Sequence, residues 1–576
     1  MNRLFARSLS LFVISLLLGG SVCAQRTPTV LTWHNDIFRT GQNLRETVLT
    51  PATVNPASFG KLFSYPVDGM LYAQPLYVPH LAIPGKGIHN VVYLATQKDS
   101  VYAFDADNAK ANPSPLWFAN FTDPPRVTPV PCRDNQVDCN VYPIIGITGT
   151  PVISLSNHSI YLVARTKETD QQGHASYFSR LHALDIATGA EKSGSPVVIC
   201  GRPSGETCAF DYGTKQSSFN PQHEMARPGL LLMPSRATGH DVVYIGFAGE
   251  SGWLLAYDAQ TLALLAAFPT GPNIPAKNRG RAGIWGSGGA LAGDTEGNIY
   301  AATGDGIFDV NKGGSDYGDT LLKLNLVRQS FGAFEFQVSD YFTPSNYICL
   351  NAEDLDLSSS GPLVLPKQKG SHVDEILIAG KSNPGCNRKG SPIRVIDRNN
   401  LGHVNGQVQE VNGSPGGYFS SPAYWQDSKT KYVYYAGADP GAFDEDGDEE
   451  KALGDHLRLY RFKDGVFNPT SSVSESPNLF HNGGTPAISA DRTERGIVWI
   501  IERRDPLSEK PGNRPAYLHA FDATDVSREL YSSETRPARD AAGPAVKFVV
   551  LTIVNGKVYV GTQTELDVYG LCPCPQ

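Results

Sequence analysis

A chain of 576 residues with a formal charge of -8 and a pI near 5.9 is not a strongly basic nucleic-acid binder, because neutralising a phosphate backbone takes clustered Lys and Arg. Gly (57) and Pro (41) are plentiful, Tyr and Phe number 25 each and Met only 4, which favours strands and turns over helices.

The first 24 residues have the pattern of an export leader. Arg3 and Arg7 precede an apolar run from Leu9 to Leu18, and Val22-Cys23-Ala24 suits cleavage before Gln25. Val22 just before Cys23 is a poor match to lipoprotein processing. No later stretch is long and apolar enough to cross a bilayer, so the expectation is an exported protein, periplasmic or extracellular, with no membrane span. Residues 25–59 read as an N-terminal extension. Its segment "TWHNDIFRTGQN" carries His34 and Asp36, which are expected to pack beneath the main domain rather than to catalyse.

From residue 60 to 571 one unit recurs. A Gly/Ser/Thr-Pro entry leads into an apolar strand, a short turn, a second strand of "VVYLATQ" type, a connection, and a third strand of "VYAFDA" type. Entries fall at Pro75, Pro151, Pro228, Gly289, Pro362, Pro422, Pro486 and Pro544. Short strands rich in Val, Ile and Tyr at this spacing predict an all-β fold, an eight-bladed β-propeller of four-stranded antiparallel blades in a single domain. The last unit runs out of chain after its third strand. "GKLFSYPVDG" (60–69), just before the first entry, is expected to supply the missing strand and close the ring, since a bare edge invites aggregation. Residues 572–576 form a Cys-Pro-Cys tail.

Turns between first and second strands are short, whereas second-to-third connections and blade-to-blade connections are long: 165–180, 303–319, 380–392, 437–456 and 502–517, with 122–150, 200–227 and 271–288. Alternating strand direction puts all of these on one face. That loop-rich face is the expected binding surface for a small molecule or a protein. Cys132 and Cys139, and Cys200 and Cys208, read as disulfide staples of such loops. Cys349 and Cys386 fall in neighbouring repeats.

The connection after "NIYAATG" is rich in Gly and Asp. Asp305, Asp309, Asp316 and Asp319 are its candidate catalytic carboxylates. Trp285-Gly286 stands about twenty residues before Thr303-Gly304-Asp305, and Lys381 opens "KSNPGCNRKGSPIRVIDR". With the eight-unit plan, these features resemble the quinoprotein alcohol dehydrogenase-like propellers, in particular the exported bacterial type of unknown activity. The resemblance implies pyrroloquinoline quinone (PQQ) and calcium at the ring centre. Trp285 would stack on the quinone, Asp305 would ligate calcium in place of an Asn, and Lys381 would face the quinone. The family's adjacent Cys-Cys pair is absent, and Ile144 and Ile145 stand where its calcium-ligand Glu is expected.

A separate acidic motif, "DEDGDEEKALGD", places Asp444, Asp446, Asp448 and Asp455 at positions 1, 3, 5 and 12 of a calcium loop, with Glu449 where Gly is wanted. His223, Glu224 and Arg227 lead into the third unit, and Arg227 is a candidate for anion or cofactor contact in the central channel. Three readings follow: a ligand- or partner-binding propeller, a PQQ- and calcium-dependent alcohol or sugar dehydrogenase, and an envelope scaffold.

Overall fold

The computed structural model describes residues 28–110, 113–135, 139–273, 282–286, 289–381, 386, 392–411, 420–437, 454–480, 483–504 and 512–572. Among these, α-helix is confined to two short segments, Tyr347–Ala352 and Pro537–Asp540. Strands assemble into eight sheets of four or more strands, plus one small hairpin of Cys208–Tyr212 with Lys215–Phe219. We number the eight sheets in chain order. Sheet 1 runs Leu76–Ile83, Gly87–Ala95, Ser100–Asp105, Trp117–Asn120, and sheet 3 runs Leu231–Pro234, Asp241–Phe247, Trp253–Asp258, Leu264–Pro269. Sequence neighbours are spatial neighbours, as antiparallel meanders require.

Sheet 8 draws three strands from the end of the chain: Thr552–Val554, Lys557–Gly561 and Glu565–Leu571. Its outermost strand is Phe59–Pro66, paired antiparallel so that Gly60 faces Gly570 and Tyr65 faces Leu566.

The middle strands are apolar on both faces because each sheet is covered on both sides. In Asp241–Phe247, Val243, Ile245 and Phe247 pack toward sheet 2, while Val242 and Tyr244 pack toward sheet 4. Each of these buried side chains contributes on the order of 1.5–3 kcal/mol. Further clusters join sheets 4 and 5, 5 and 6, 6 and 7, and 7 and 8. Another brings Tyr559 and Val568 of sheet 8 against Tyr77 and Val92 of sheet 1.

The N-terminal segment runs past the first strands of all eight sheets in turn. Val30 bridges Tyr77 of sheet 1, and the Ile153 N–H of sheet 2 donates to Leu31 O at 2.8 Å. The N–H groups of Gly293, Val364, Tyr424 and Ile488, from sheets 4 to 7, donate to the carbonyls of Ile37, Phe38, Thr40 and Gly41 at 2.7–2.9 Å. Gln42–Asn43 then pairs parallel with sheet 7, and Asn43 Nδ2 donates to Ile553 O of sheet 8 at 2.9 Å. Sheet 3 is reached by Arg39, whose Nη2 donates to Leu230 O at 3.1 Å while Nε donates to Leu291 O at 2.7 Å. The segment therefore crosses the hub of the molecule. His34, buried, sets its ring nitrogens 2.9 Å from the carbonyl oxygens of Arg39 and Pro486, and burial depresses its pKa to about 4. Gly41 has φ +72°, and a Cβ there would lie 2.3 Å from the His34 ring, so only glycine fits.

One expected loop is strand instead. Residues 165–180 fall largely within Ser159–Thr169 and Ala175–Asp185, which pair along their whole length from Ser159–Asp185 to Thr169–Ala175. The alternation of Lys167, Glu168 and Thr169 with Tyr177 and Phe178 carries the ladder beyond the sheet body. Only 170–174 turns, with Asp170 Oδ1 accepting from the Gln172 and His174 N–H groups at 2.9 and 2.8 Å. The connection 200–227 likewise contains the end of a fourth strand, Val197–Pro203, and the small hairpin.

Candidate ligand and metal site at the hub

The connection 303–320 of sheet 4, the connection that leads from sheet 4 into the first strand of sheet 5 (Leu363–Val364), and the connection after that sheet's second strand (Glu375–Ile378) converge. Carboxylate oxygens of Asp305, Asp354 and Asp356 all lie within 4.8 Å of one another. Lys381 Nζ stands 2.7 Å from Asp356 Oδ2 and 3.4 Å from Asp354 Oδ1. Asp305 N–H donates to Asp356 Oδ1 at 3.0 Å. Gly304 permits this approach, since a Cβ there would sit 2.0 Å from Asp356 Oδ1 and 2.8 Å from Trp285 Cδ1.

Asp319 is fully buried beside this group in a left-handed conformation (φ 46°), which Asp tolerates better than most residues. Its N–H donates to Gly304 O at 2.7 Å, and its Oδ1 accepts from Leu357 N–H at 3.1 Å. Its Oδ2 is buried with no hydrogen-bond partner among the described residues. Burial and the neighbouring Asp356 charge raise the Asp319 carboxyl well above the usual range. Asp305 is raised in the same way, by burial and then by Asp356. Burial opposes ionisation of Asp356 too, but the Lys381 ammonium outweighs it and holds Asp356 below the ordinary value. Crowded carboxylates of this kind are what a hard divalent cation neutralises.

A disulfide brackets the cluster. Cys349–Cys386 joins the short helix just before Asp354 to the chain just after Lys381. Cys132–Cys139 and Cys200–Cys208 are the other two bridges among the described residues.

Sequence reasoning picked out Asp305, Asp319 and Lys381 but missed Asp354 and Asp356. The available signal was the alternation in "EDLDLSS", two aspartates two residues apart beside Cys349. Asp309 and Asp316 do different work. Asp309 Oδ1 accepts from Asp316 N–H at 2.9 Å, and Asp316 Oδ1 accepts from Asn273 N–H at 2.9 Å, so both pin the loop. Asp444, Asp446 and Asp448 lie outside the described residues. Asp455 begins a strand, with Oδ1 2.7 Å from Arg458 Nη2. Glu224 is buried, accepts from the Ser251 N–H and Oγ at 2.9 and 2.8 Å, and is pushed up to about 8, mainly by burial.

Trp285 stands at the edge of the acidic cluster. Its indole is buried, with Gly283 and Gly304 close against it, and the Arg227 guanidinium lies 5.5 Å from its ring centroid. The same guanidinium lies 4.4 Å from the Phe548 ring centroid. Beyond Arg227 a small crevice is lined by Trp33, Tyr72, Thr148, Thr150 and Phe548 among others. A second is lined by Thr485, Ile501, Arg503, Val546, Lys547 and Phe548 among others.

Sheets radiating from a hub, each packed on the next, define a β-propeller, with its loop connections gathered around an acidic cluster and a central cavity. No family model and no curated protein matches the chain. Among solved structures, the quinohemoprotein alcohol dehydrogenase ADHIIG from Pseudomonas putida HK5 is similar, at 14% identity and a TM-score of 0.54, over 95% of this chain and 82% of that one. BamB from Moraxella catarrhalis aligns with 13% identity and a TM-score of 0.40, over 89% of this chain and 99% of that one. The chain thus shares a β-propeller fold with the quinohemoprotein alcohol dehydrogenase, and that likeness concerns the fold alone.

Proposed function

We propose that the chain is an exported eight-bladed propeller, its ring closed by Phe59–Pro66, that binds ligands on its loop-rich face, with calcium held by Asp305, Asp319, Asp354 and Asp356. The leader-like residues 1–24 and the three disulfides support export. The observation that carries the calcium reading is the buried, unpartnered Asp319 Oδ2 beside three converging carboxylates. Oxygen donors of this number suit a hard cation, and Lys381 is the group such an ion would displace from Asp356.

A thermal melt of the metal-stripped mature protein tests this. Calcium raises the melting temperature, and Asp356→Asn or Asp319→Asn removes the rise while Asp455→Asn keeps it. A rise lost only in Asp455→Asn would move calcium to the 444–455 loop, and no rise at all would end the reading.

The second reading is a PQQ- and calcium-dependent alcohol or sugar dehydrogenase, favoured by Lys381 and the acids sharing one cluster. The quinone does not fit the arrangement around Trp285, where the Arg227 guanidinium lies 5.5 Å from the ring centroid a planar cofactor would stack on. We therefore derive no reaction step through a quinone.

A further inference from the structure

The imidazole of His519 is fully buried in sheet 7, and both of its nitrogens face carboxylates. Nδ1 lies 2.7 Å from Glu529 Oε1, and Nε2 lies 3.3 Å from Glu502 Oε2. Three strands of one sheet meet at this ring. Glu502 ends Glu494–Glu502, His519 sits in Tyr517–Asp522, and Glu529 lies in Asp525–Ser532. Phe480 of sheet 6 meets the ring edge-on and Phe521 stacks beside it, with centroids 5.6 and 6.2 Å away. His182 and His223 also meet glutamates, but through Nδ1 alone, and their Nε2 atoms are buried without a partner among the described residues.

This two-sided contact imposes a protonation state. A neutral imidazole has one N–H and one lone pair, whereas the imidazolium donates at both nitrogens. Only the charged ring satisfies Glu502 and Glu529 together. Burial opposes that charge, but the two glutamates outweigh it and hold the His519 pKa above its ordinary 6.5. From sheet 6 the facing polar group is Asn478, whose Nδ2 donates to Glu529 Oε1 at 2.9 Å and lies 3.1 Å from His519 Nδ1. On the other side Arg504 donates to both Glu502 oxygens at 2.8 Å, and to both Glu534 oxygens at 2.5 and 2.6 Å. The Arg504 guanidinium also lies 4.2 Å from the Tyr517 ring centroid. Nearby, Ala516 N–H donates to Gly543 O at 3.0 Å and Ala545 N–H donates to Arg514 O at 2.9 Å, which joins residues 512–517 to the entry of sheet 8.

We propose that His519 is a proton-operated latch: as imidazolium it ties Glu502 to Glu529 and keeps residues 512–517 docked on sheet 8, and on losing its proton it releases that edge of the loop-rich face. The neutral ring sets a lone pair against one carboxylate in a water-free interior, where two facing acceptors repel. Glu502 is the group free to withdraw along its strand end, and Arg504 goes with it. The latch is closed below about pH 6.5 and opens as the pH rises through the raised value. It acts independently of calcium at the acidic cluster, which lies on sheets 4 and 5.

The test is hydrogen exchange on the full mature protein from about pH 5.5 to 8.5. It is read on peptides covering residues 497–504 and 514–522 and corrected for the intrinsic exchange rate at each pH. The readout is local because Glu224, raised to about 8 in the approach to sheet 3, titrates over the same range. Protection should be level below about pH 6.5 and then fall with the steepness of one proton, at most about tenfold per pH unit. His519→Gln should remove the step. Glu529→Gln, at a partly exposed position that keeps the test if His519→Gln fails to fold, should move the step to lower pH. His182→Gln, at the one-sided pair, should leave it in place. Level protection across the whole range, a step centred at or below pH 6.5, or an unaltered step in Glu529→Gln would overturn the proposal.

Discussion

Replacing Arg39 tests whether the N-terminal segment holds the hub together. The Arg39 side chain is 1% exposed and donates to four carbonyls and one hydroxyl: Leu291 O at 2.7 Å, Trp33 O at 2.8 Å, Asp36 O and Leu230 O at 3.1 Å, and Thr32 Oγ1 at 2.7 Å. Burial lowers its pKa to about 9, with Asp36 acting in the opposite direction, so the cation persists at neutral pH. Arg39→Met leaves those acceptors without the donor and Asp36 without its counter-charge. Each buried acceptor left unsatisfied costs about 1–3 kcal/mol, but removing a buried cation returns part of that. Breaking a buried charged network nets about 3–5 kcal/mol. Unfolding entropy of about 2.1 cal/mol/K per residue gives about 1.2 kcal/mol/K for a 576-residue chain. The melting temperature should therefore fall by about 2.5–4 °C if the ring unfolds as one unit. Arg39→Lys keeps the charge but not the fork and should fall between wild type and Arg39→Met. Scanning calorimetry reads the shift, and limited proteolysis should newly cut residues 28–46 in Arg39→Met. A shift under about 1 °C with no new cleavage would refute the idea that this segment clamps the blades.

Glu224 predicts a pH dependence. Its carboxyl is raised to about 8 in the folded chain against an ordinary 4.5, so folding favours the protonated form. Stability is full below about pH 4.5 and declines as pH rises through about 8, by at most about 5 kcal/mol. Glu224→Gln should flatten that decline, and urea titrations at pH 5 and pH 8.5 compare the two proteins. The Cys349–Cys386 bridge closes a separation of 37 residues, worth about 3–4 kcal/mol by chain entropy. The Cys349→Ser, Cys386→Ser double variant should melt lower and also bind calcium more weakly, because the bridge brackets Asp354, Asp356 and Lys381. Equal calcium stabilisation in that variant would separate the disulfide from the site.

The repeat made the sheets legible. Each unit writes its own apolar strands, and a strand covered on both sides reads as an unbroken run such as "VVYIGFA". The pairing of Phe59–Pro66 with Glu565–Leu571 was legible too, because the last unit lacks a strand and 60–69 is strand-like. The extension of Ser159–Thr169 was not. Residues such as Lys167 and Glu168 pair in a ladder that reaches out past the sheet body, where polar side chains carry no burial pattern to betray a strand.

The site was legible only in part, and geometry explains which part. Asp305, Asp319 and Lys381 lie in connections whose composition is itself unusual, so inspection of one segment finds them. Asp354 and Asp356 form a short acidic pair in an otherwise ordinary segment, and they matter because the approach to sheet 5 sets them against sheet 4. A propeller brings the entry of every blade to one axis, so groups far apart in sequence become neighbours there. Local motifs cannot encode such a site; it is written across blades.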